Sequence, residues 1–340
     1  MTPNIIHFVY VGGRPFSFIH FLAVYSAWKV NRPDCLYFHH TEEPTGTWWE
    51  KARPLLTLNR VEPVHEVHGN PIKYPAHMAD VIRLAMLRRF GGIYLDLDIV
   101  CLNPFAPLRE NDFVMGVEPG AGLCNAVIIA RHDARFLGLW QEQYRSFDNS
   151  RWNHHSVVLP WQLAQANPGL IHVADKYAFF YPTHNDPVHR YLWGERPAPR
   201  ERLTRLAKNL CRMIAERFSG KHDAIRQAHY QTFHVLRGRE WHFRRASQSY
   251  CLHLWEGLWG APYLKAVTPA YLRNSPSNFA RLLRDVLGPA ELDAMELPGA
   301  MPGTAAFATV QPEILPALPG LANGSAPSPM PTFSMRYPQP

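Results

Sequence analysis

Short apolar runs alternate with longer stretches of helical period along the first half of the chain. Ile5-Ile6-His7-Phe8-Val9-Tyr10-Val11 is β-branched and aromatic and is stopped by Gly12-Gly13, which predicts a buried strand feeding a tight loop. A helix is expected over residues 18–30, a strand over 35–40, a helix over 48–58 and a strand over 60–67. Between His77 and Phe90, the positions Val81, Leu84, Ala85 and Arg88 keep helical spacing, and Gly91 follows as a C-cap. Strands are then expected over 93–97, 113–117 and 126–130, and a helix over 134–147. This alternation predicts a mostly parallel α/β sheet covered by helices.

Beyond Arg151 the sequence is rich in His, Pro and aromatic residues and shows no clear period. The exception is residues 200–218, where Leu203, Leu206, Leu210, Met213 and Ile214 form a stripe among Arg202, Arg205, Lys208, Arg212 and Arg217. A basic amphipathic helix is expected there, packed on its own domain or lying on an anionic membrane surface. From Pro298 to Pro340 the chain is crowded with Pro, Ala, Gly and Ser and carries only Glu313 and Arg336 as charges, so a disordered tail is expected.

Composition narrows the class. A chain of 340 residues with 46% hydrophobic and 12% aromatic content can bury a sizeable core. It has no apolar run long enough to span a membrane and no signal-like start, so a soluble cytoplasmic protein is expected. Cys35, Cys101, Cys124, Cys211 and Cys251 are scattered and never paired as C-x-x-C, which argues for free thiols rather than disulfides or a zinc ribbon. The net charge of +7, concentrated between Arg200 and Arg245, favours anionic partners without choosing among sugar nucleotides, lipids and nucleic acids.

The chemistry concentrates at Asp96-Leu97-Asp98. If the strand continues extended, both carboxylates project to one side and Leu97 turns inward. Such a pair suits a hard cation, Mn²⁺ or Mg²⁺, bridging to a diphosphate. A bare D-x-D occurs by chance, but two carboxylates behind Ile93-Tyr94-Leu95 repel one another unless a cation or solvent relieves them. One helix earlier, Asp80 and Arg83 share a face with His77, either as an ordinary ion pair or as hydrogen-bonding groups for sugar hydroxyls.

From His77 to Asp98 the joined pattern H-x-x-D-x-x-R-x-x-x-L-x-x-x-G-G-I-Y-L-D-L-D closely resembles the Asp-x-Asp sugar-binding region of glycosyltransferase family 32. It is also similar to the equivalent region of the large glucosylating toxins and the α-1,4-glycosyltransferases. Ile6-His7-Phe8-Val9-Tyr10-Val11-Gly12-Gly13 resembles the family's opening strand, with Tyr10 where Trp is usual. The resemblance implies a GT-A-type, Rossmann-like mixed sheet flanked by helices, with added helices in the C-terminal half. Residues 1–296 would form the glycosyltransferase domain, with 1–150 as nucleotide-sugar core, 151–296 as acceptor side and lid, and 297–340 as tail.

By the same resemblance, Asp80, Arg83 and Asn125 would hold the donor sugar, and Asp96 and Asp98 would be catalytic. Val9, Tyr10, Gly12, Gly13, Asp96 and Trp255 would bind the nucleotide. Asp98, Asp96 and His253, within the late His-x-Trp element Cys251-Leu252-His253-Leu254-Trp255, would hold the metal. His253 could instead stabilise leaving-group charge when protonated. The Gly-Pro usual near Leu159-Pro160-Trp161 lacks its Gly.

The implied activity moves a hexosyl unit from a UDP- or GDP-sugar to a glycan, lipid-linked or protein hydroxyl, with retention of configuration and Mn²⁺ or Mg²⁺ as cofactor. Peripheral contact with anionic membrane is a further expectation, and nucleic acid is not an expected partner. Two alternative readings fit parts of the sequence. A haloacid-dehalogenase-like phosphatase shares the Asp-Leu-Asp-Ile-Val run but needs a later acidic pair that is missing. A non-catalytic glycan or nucleic-acid binding protein could use the basic and aromatic 200–245 region, which leaves the acidic pair unexplained.

Overall fold

The computed structural model describes residues 1–184, 189–194 and 240–297, together with positions 203, 207, 210, 211 and 301. Seven strands form the main sheet in the order β10-β8-β9-β6-β1-β2-β3. They are β1 (Ile5–Tyr10), β2 (Cys35–His40), β3 (Thr57–Arg60), β6 (Gly92–Leu95), β8 (Phe113–Glu118), β9 (Gly122–Ala130) and β10 (His172–Ala174). Of these, β9 alone runs against the others, pairing antiparallel with both β6 and β8. The architecture is the mixed, mostly parallel sheet flanked by helices expected of a GT-A-type chain.

Each face of the sheet has its own core. On one face Phe8, Phe38, Ile93 and Val127 meet α1 (Phe18–Asn31). On the other, Tyr94, Met115 and Ile128 meet α3 (Pro75–Phe90), α4 (Arg135–Glu142) and α5 (Leu159–Ala166). Helix α1 is buried continuously from Phe18 to Ala27, because C-terminal helices pack in the same cluster, Leu283 and Leu292 among their residues. Tyr25 Oη donates to Glu291 Oε1 at 2.9 Å across that layer, which ties the added C-terminal helices to the core.

The sequence boundaries hold at β1, α1 and β2, and differ at four places. The helix expected over 48–58 is only α2 (Thr47–Ala52), since Pro54 opens a tighter turn at Arg53–Leu55 and the β-branched Thr57 starts β3. The strand expected over 60–67 does not form as one piece. Pro63 has no N–H for a ladder, and Glu66–Val67 (β4) pairs instead with Asn70–Pro71 (β5) in a separate hairpin. The helix expected over 134–147 ends at Glu142. The strand expected over 93–97 stops at Leu95.

Among the tail positions, Leu297 is exposed, its carbonyl accepts from Lys51 Nζ at 2.7 Å, and Met301 is buried. The rest of the expected disordered tail and most of the expected basic helix over 200–218 lie outside the described residues. No helix among the described residues is long and apolar enough to cross a membrane. Cys101, Cys124 and Cys251 are buried free thiols, Cys35 is half-buried and Cys211 exposed.

A polar relay inside the sheet fixes the Gly91-Gly92 corner between α3 and β6. His7 Nε2 lies 2.8 Å from the Gly91 carbonyl oxygen, His7 Nδ1 lies 3.0 Å from His39 Nε2, and Asn59 Nδ2 lies 2.7 Å from His39 Nδ1. With Asn59 donating at one end and a carbonyl accepting at the other, both imidazoles must be neutral and each passes one N–H along the line. Burial lowers His7 to about 4 and takes His39 well below its ordinary value. Gly92 has φ 114°, and a Cβ there would stand 2.5 Å from the Ile5 carbonyl oxygen, so only glycine lets β6 enter beside β1.

Candidate active site

The two carboxylates of Asp-x-Asp are presented by a turn. Asp96 N–H still donates to the Ala126 carbonyl of β9 at 2.9 Å, but the Asp96 carbonyl then accepts from Ile99 N–H at 3.0 Å, closing a turn through Leu97 and Asp98. This corrects the expectation of an extended strand with Leu97 pointing inward: Leu97 is half-buried and the chain reverses into β7 (Ile99–Cys101). The physical reason is that β9 supplies a backbone partner up to Asp96, and the chain then leaves the main sheet to pair with β11 (Cys251–His253).

That pairing brings in the distant part of the site. His253 sits opposite Ile99, Leu254 N–H donates to the Asp98 carbonyl at 2.9 Å, and Glu256 N–H donates to Asp98 Oδ2 at 2.8 Å. His253 Nε2 lies 3.4 Å from Asp98 Oδ1. Burial opposes charge on both groups, and their mutual attraction outweighs it, holding Asp98 below and His253 above their ordinary values. Trp255 packs against His253 with ring centroids 3.8 Å apart and the planes tilted by 32°, and takes a left-handed φ of 48°, a conformation costly for a bulky residue. His184 lies against the same indole at 4.7 Å.

Arg83 organises the other side. It is buried on α3 and reaches Asp80 Oδ1 at 3.2 Å, Asp96 Oδ1 at 3.0 Å and the Asn125 carbonyl at 2.9 Å. Its guanidinium lies 4.3 Å from the Tyr94 ring centre, and Tyr94 Oη donates to Asp96 Oδ1 at 2.6 Å. Asn125 Nδ2 donates to Asp80 Oδ1 at 2.7 Å. Burial pushes the Asp80 carboxyl up, against the pull of Arg83 and Asn125. Asp80, Arg83, Asn125 and Asp96 are thus one connected network.

Asp96, Asp98 and His253 each offer a ligand atom, and these atoms all lie within 4.8 Å of one another. Two carboxylates and an imidazole fit a hard or borderline divalent cation such as Mn²⁺. His253 turns Nε2 towards Asp98 Oδ1, and its Nδ1 is buried without a hydrogen-bond partner among the described residues.

The nucleotide-side residues are placed less uniformly. Gly12 and Gly13 form the turn leaving β1, with Gly12 at φ 85° and its N–H 3.2 Å from Thr41 Oγ1. Val9 is buried beneath them. Tyr10 is 1% exposed, its ring stacks on Phe38 at 5.8 Å and its hydroxyl donates to the Arg14 carbonyl. The ring is committed to the core and, as placed, offers no face to a base. Two further residues, Tyr94 and Glu118, lie beside these groups. Tyr94 was counted only as apolar strand, though its place two residues before Asp96 puts it on the same side. Glu118 ends β8 two residues after Gly116, which abuts Phe179 and Phe180; burial raises its carboxyl while His253 pulls it down.

Comparison with known proteins gives the family. Residues 24–114 match the family described as glycosyltransferase sugar-binding region containing DXD motif. Glucan organizing enzyme 1 of Cryptococcus neoformans var. grubii is 31% identical over 309 residues, covering 86% of this chain and 72% of that protein. The chain belongs to the glycosyltransferases with a DXD-containing sugar-binding region. An uncharacterized glycosyltransferase of Acanthamoeba polyphaga mimivirus is 31% identical over 102 residues, 30% of this chain and 37% of that one. Among solved structures, the PaToxG glycosyltransferase covers 49% of this chain and 71% of its own at 16% identity and a TM-score of 0.34, a likeness too slight to bear on the argument. Family membership displaces the phosphatase alternative.

Proposed function

We propose that the protein transfers a hexosyl unit from a UDP- or GDP-sugar to a hydroxyl of a glycan, glycolipid or protein, with retention, using Mn²⁺ or Mg²⁺ held by Asp98, Asp96 and His253. The observation that carries this is the convergence of Asp96, Asp98 and His253, from sites over 150 residues apart in sequence, beside the buried Asp80–Arg83–Asn125 network. The cation, when bound, neutralises charge growing on the departing nucleoside diphosphate. Glu256 N–H fixes the Asp98 carboxylate, and Tyr94 and Arg83 fix Asp96, so both ligands are held in place by their neighbours. Asp80, Arg83 and Asn125 present polar groups for the sugar hydroxyls, and Trp255 closes over the diphosphate side. Retention rests on the family resemblance alone and leaves open a front-face displacement assisted by the leaving phosphate.

The test is a thermal-shift panel of UDP- and GDP-sugars with and without Mn²⁺, on wild type and Asp98→Asn. A ligand that binds only the folded state raises its melting temperature. The reading expects a nucleotide-sugar shift that needs both Mn²⁺ and Asp98. No shift with any donor, or a shift indifferent to both, overturns it.

A further inference from the structure

We propose that Tyr74 and Trp152 form a stacking ledge for a sugar ring of a glycan acceptor, an assignment that rests on the donor reading above. Both are large aromatics left in solvent, at 45% and 61% exposure, whereas most rings among the described residues are buried. They pack edge to face with centroids 5.6 Å apart. A pyranose presents C–H groups on one face that fit the electron-rich face of an indole or phenol.

The ledge is built rigidly. His77, buried beneath it, lies 5.1 Å from the Trp152 ring and 5.4 Å from that of Tyr74, with Nε2 3.0 Å from the Trp152 carbonyl oxygen. Lys73 N–H donates to Asn149 Oδ1 at 3.0 Å, and Asn149 Nδ2 donates to the Pro71 carbonyl, so the 148–153 loop is stitched to the start of α3. A preformed platform of this sort loses little freedom when a ligand settles on it.

Its position relates it to transfer. Helix α3 runs back across the sheet before entering β6, so its first turn stands at the edge where β1 and β6 end, the edge that carries Asp96 and Asp98. His77 precedes Asp80 by three residues, about 4.5 Å along the helix axis. The ledge and the donor-sugar network are therefore neighbours on one helix face. Lys73, Asp148 and Arg151 rim it with exposed charge, which suits a hydroxyl-rich ligand. Two rings are far short of the roughly 800 Å² per partner that a stable protein interface buries.

The experiment uses the full chain and three neutral probes: β-1,3-glucohexaose, α-1,4-glucohexaose and α-1,6-mannohexaose. Binding is followed by saturation-transfer NMR and calorimetry on wild type, Trp152→Ala, Tyr74→Ala and Trp152→Phe. At least one hexaose is expected to bind wild type, at least tenfold more weakly after Trp152→Ala or Tyr74→Ala, and within about threefold of wild type after Trp152→Phe, which keeps an aromatic face. The Mn²⁺-dependent nucleotide shift should be equal in all four, which also reports that each is folded. Failure of every hexaose to bind wild type, or equal binding after Trp152→Ala, overturns the ledge. So does self-association of wild type that Trp152→Ala disperses, since a second copy is then the occupant. A missing nucleotide shift in wild type counts against the donor reading and leaves the hexaose result to decide the ledge.

Discussion

Replacing Arg83 with Met tests whether the buried network is held by one cation. Arg83 is paired with two carboxylates and a carbonyl, and Asp80 is almost fully buried. Methionine fills similar volume but leaves Asn125 as the remaining hydrogen-bond partner of Asp80 among the described residues. Breaking a buried pair from one side costs about 3–5 kcal/mol, because the remaining charge is stranded. Urea denaturation at pH 7 should show a loss of about 4 kcal/mol for Arg83→Met, and Asp80→Asn in that background should recover at least half of it by removing the stranded charge. The sign with pH follows from Asp80. Its carboxyl is already pushed up by burial and loses the opposing pull of Arg83 in the variant, so the penalty should shrink as pH falls and the acid becomes neutral. A loss under about 1 kcal/mol, or no recovery in the double variant, would refute the stranded-charge argument.

Three further outcomes are expected. Asp98→Asn should abolish Mn²⁺-dependent stabilisation by nucleotide sugar and lower kcat/KM by at least about 100-fold, the scale on which loss of an electrostatic stabiliser acts, as measured by nucleotide release; near-normal turnover would remove Asp98 from the site. His7 and His39 are held neutral by burial, so the unfolded chain binds protons that the folded chain refuses. Their contribution is fully present above about pH 6.5 and is lost as pH falls towards 4, with His7 alone worth about 3 kcal/mol; a stability profile flat between pH 6.5 and 4.5 would contradict it. Gly92→Ala adds a Cβ 2.5 Å from the Ile5 carbonyl oxygen at a left-handed φ, and calorimetry should find it destabilised by about 3 kcal/mol or more.

Local chemistry determined much of this protein from sequence alone. The β-branched run into Gly12-Gly13, the helical spacing up to Phe90 and the glycine corner after it depend on neighbours a few residues away, and β1, α1, β2 and α3 stand close to where those patterns put them. Asp80, Arg83, Asp96 and Asp98 fall within one short segment, so their nearness was legible, although a turn rather than a strand period presents the last two. What depended on distant partners was not legible. Pro54 and Pro63 mark breaks within 48–67, but the register of β3 on β2 and the hairpin at Glu66 are set by pairing. The turn at Asp96–Asp98 exists because β7 leaves the main sheet for a strand 150 residues away, and the same pairing, not proximity in sequence, sets His253 against Asp98. Tyr10, which the family resemblance put at the nucleotide, is 1% exposed and stacks on Phe38. The periodicity of a chain fixes which side chains share a face; His253 was joined to Asp96 and Asp98 in the sequence only through family resemblance, and the contact between them, like the exposure of each ring, comes from pairing that only the assembled sheet can make.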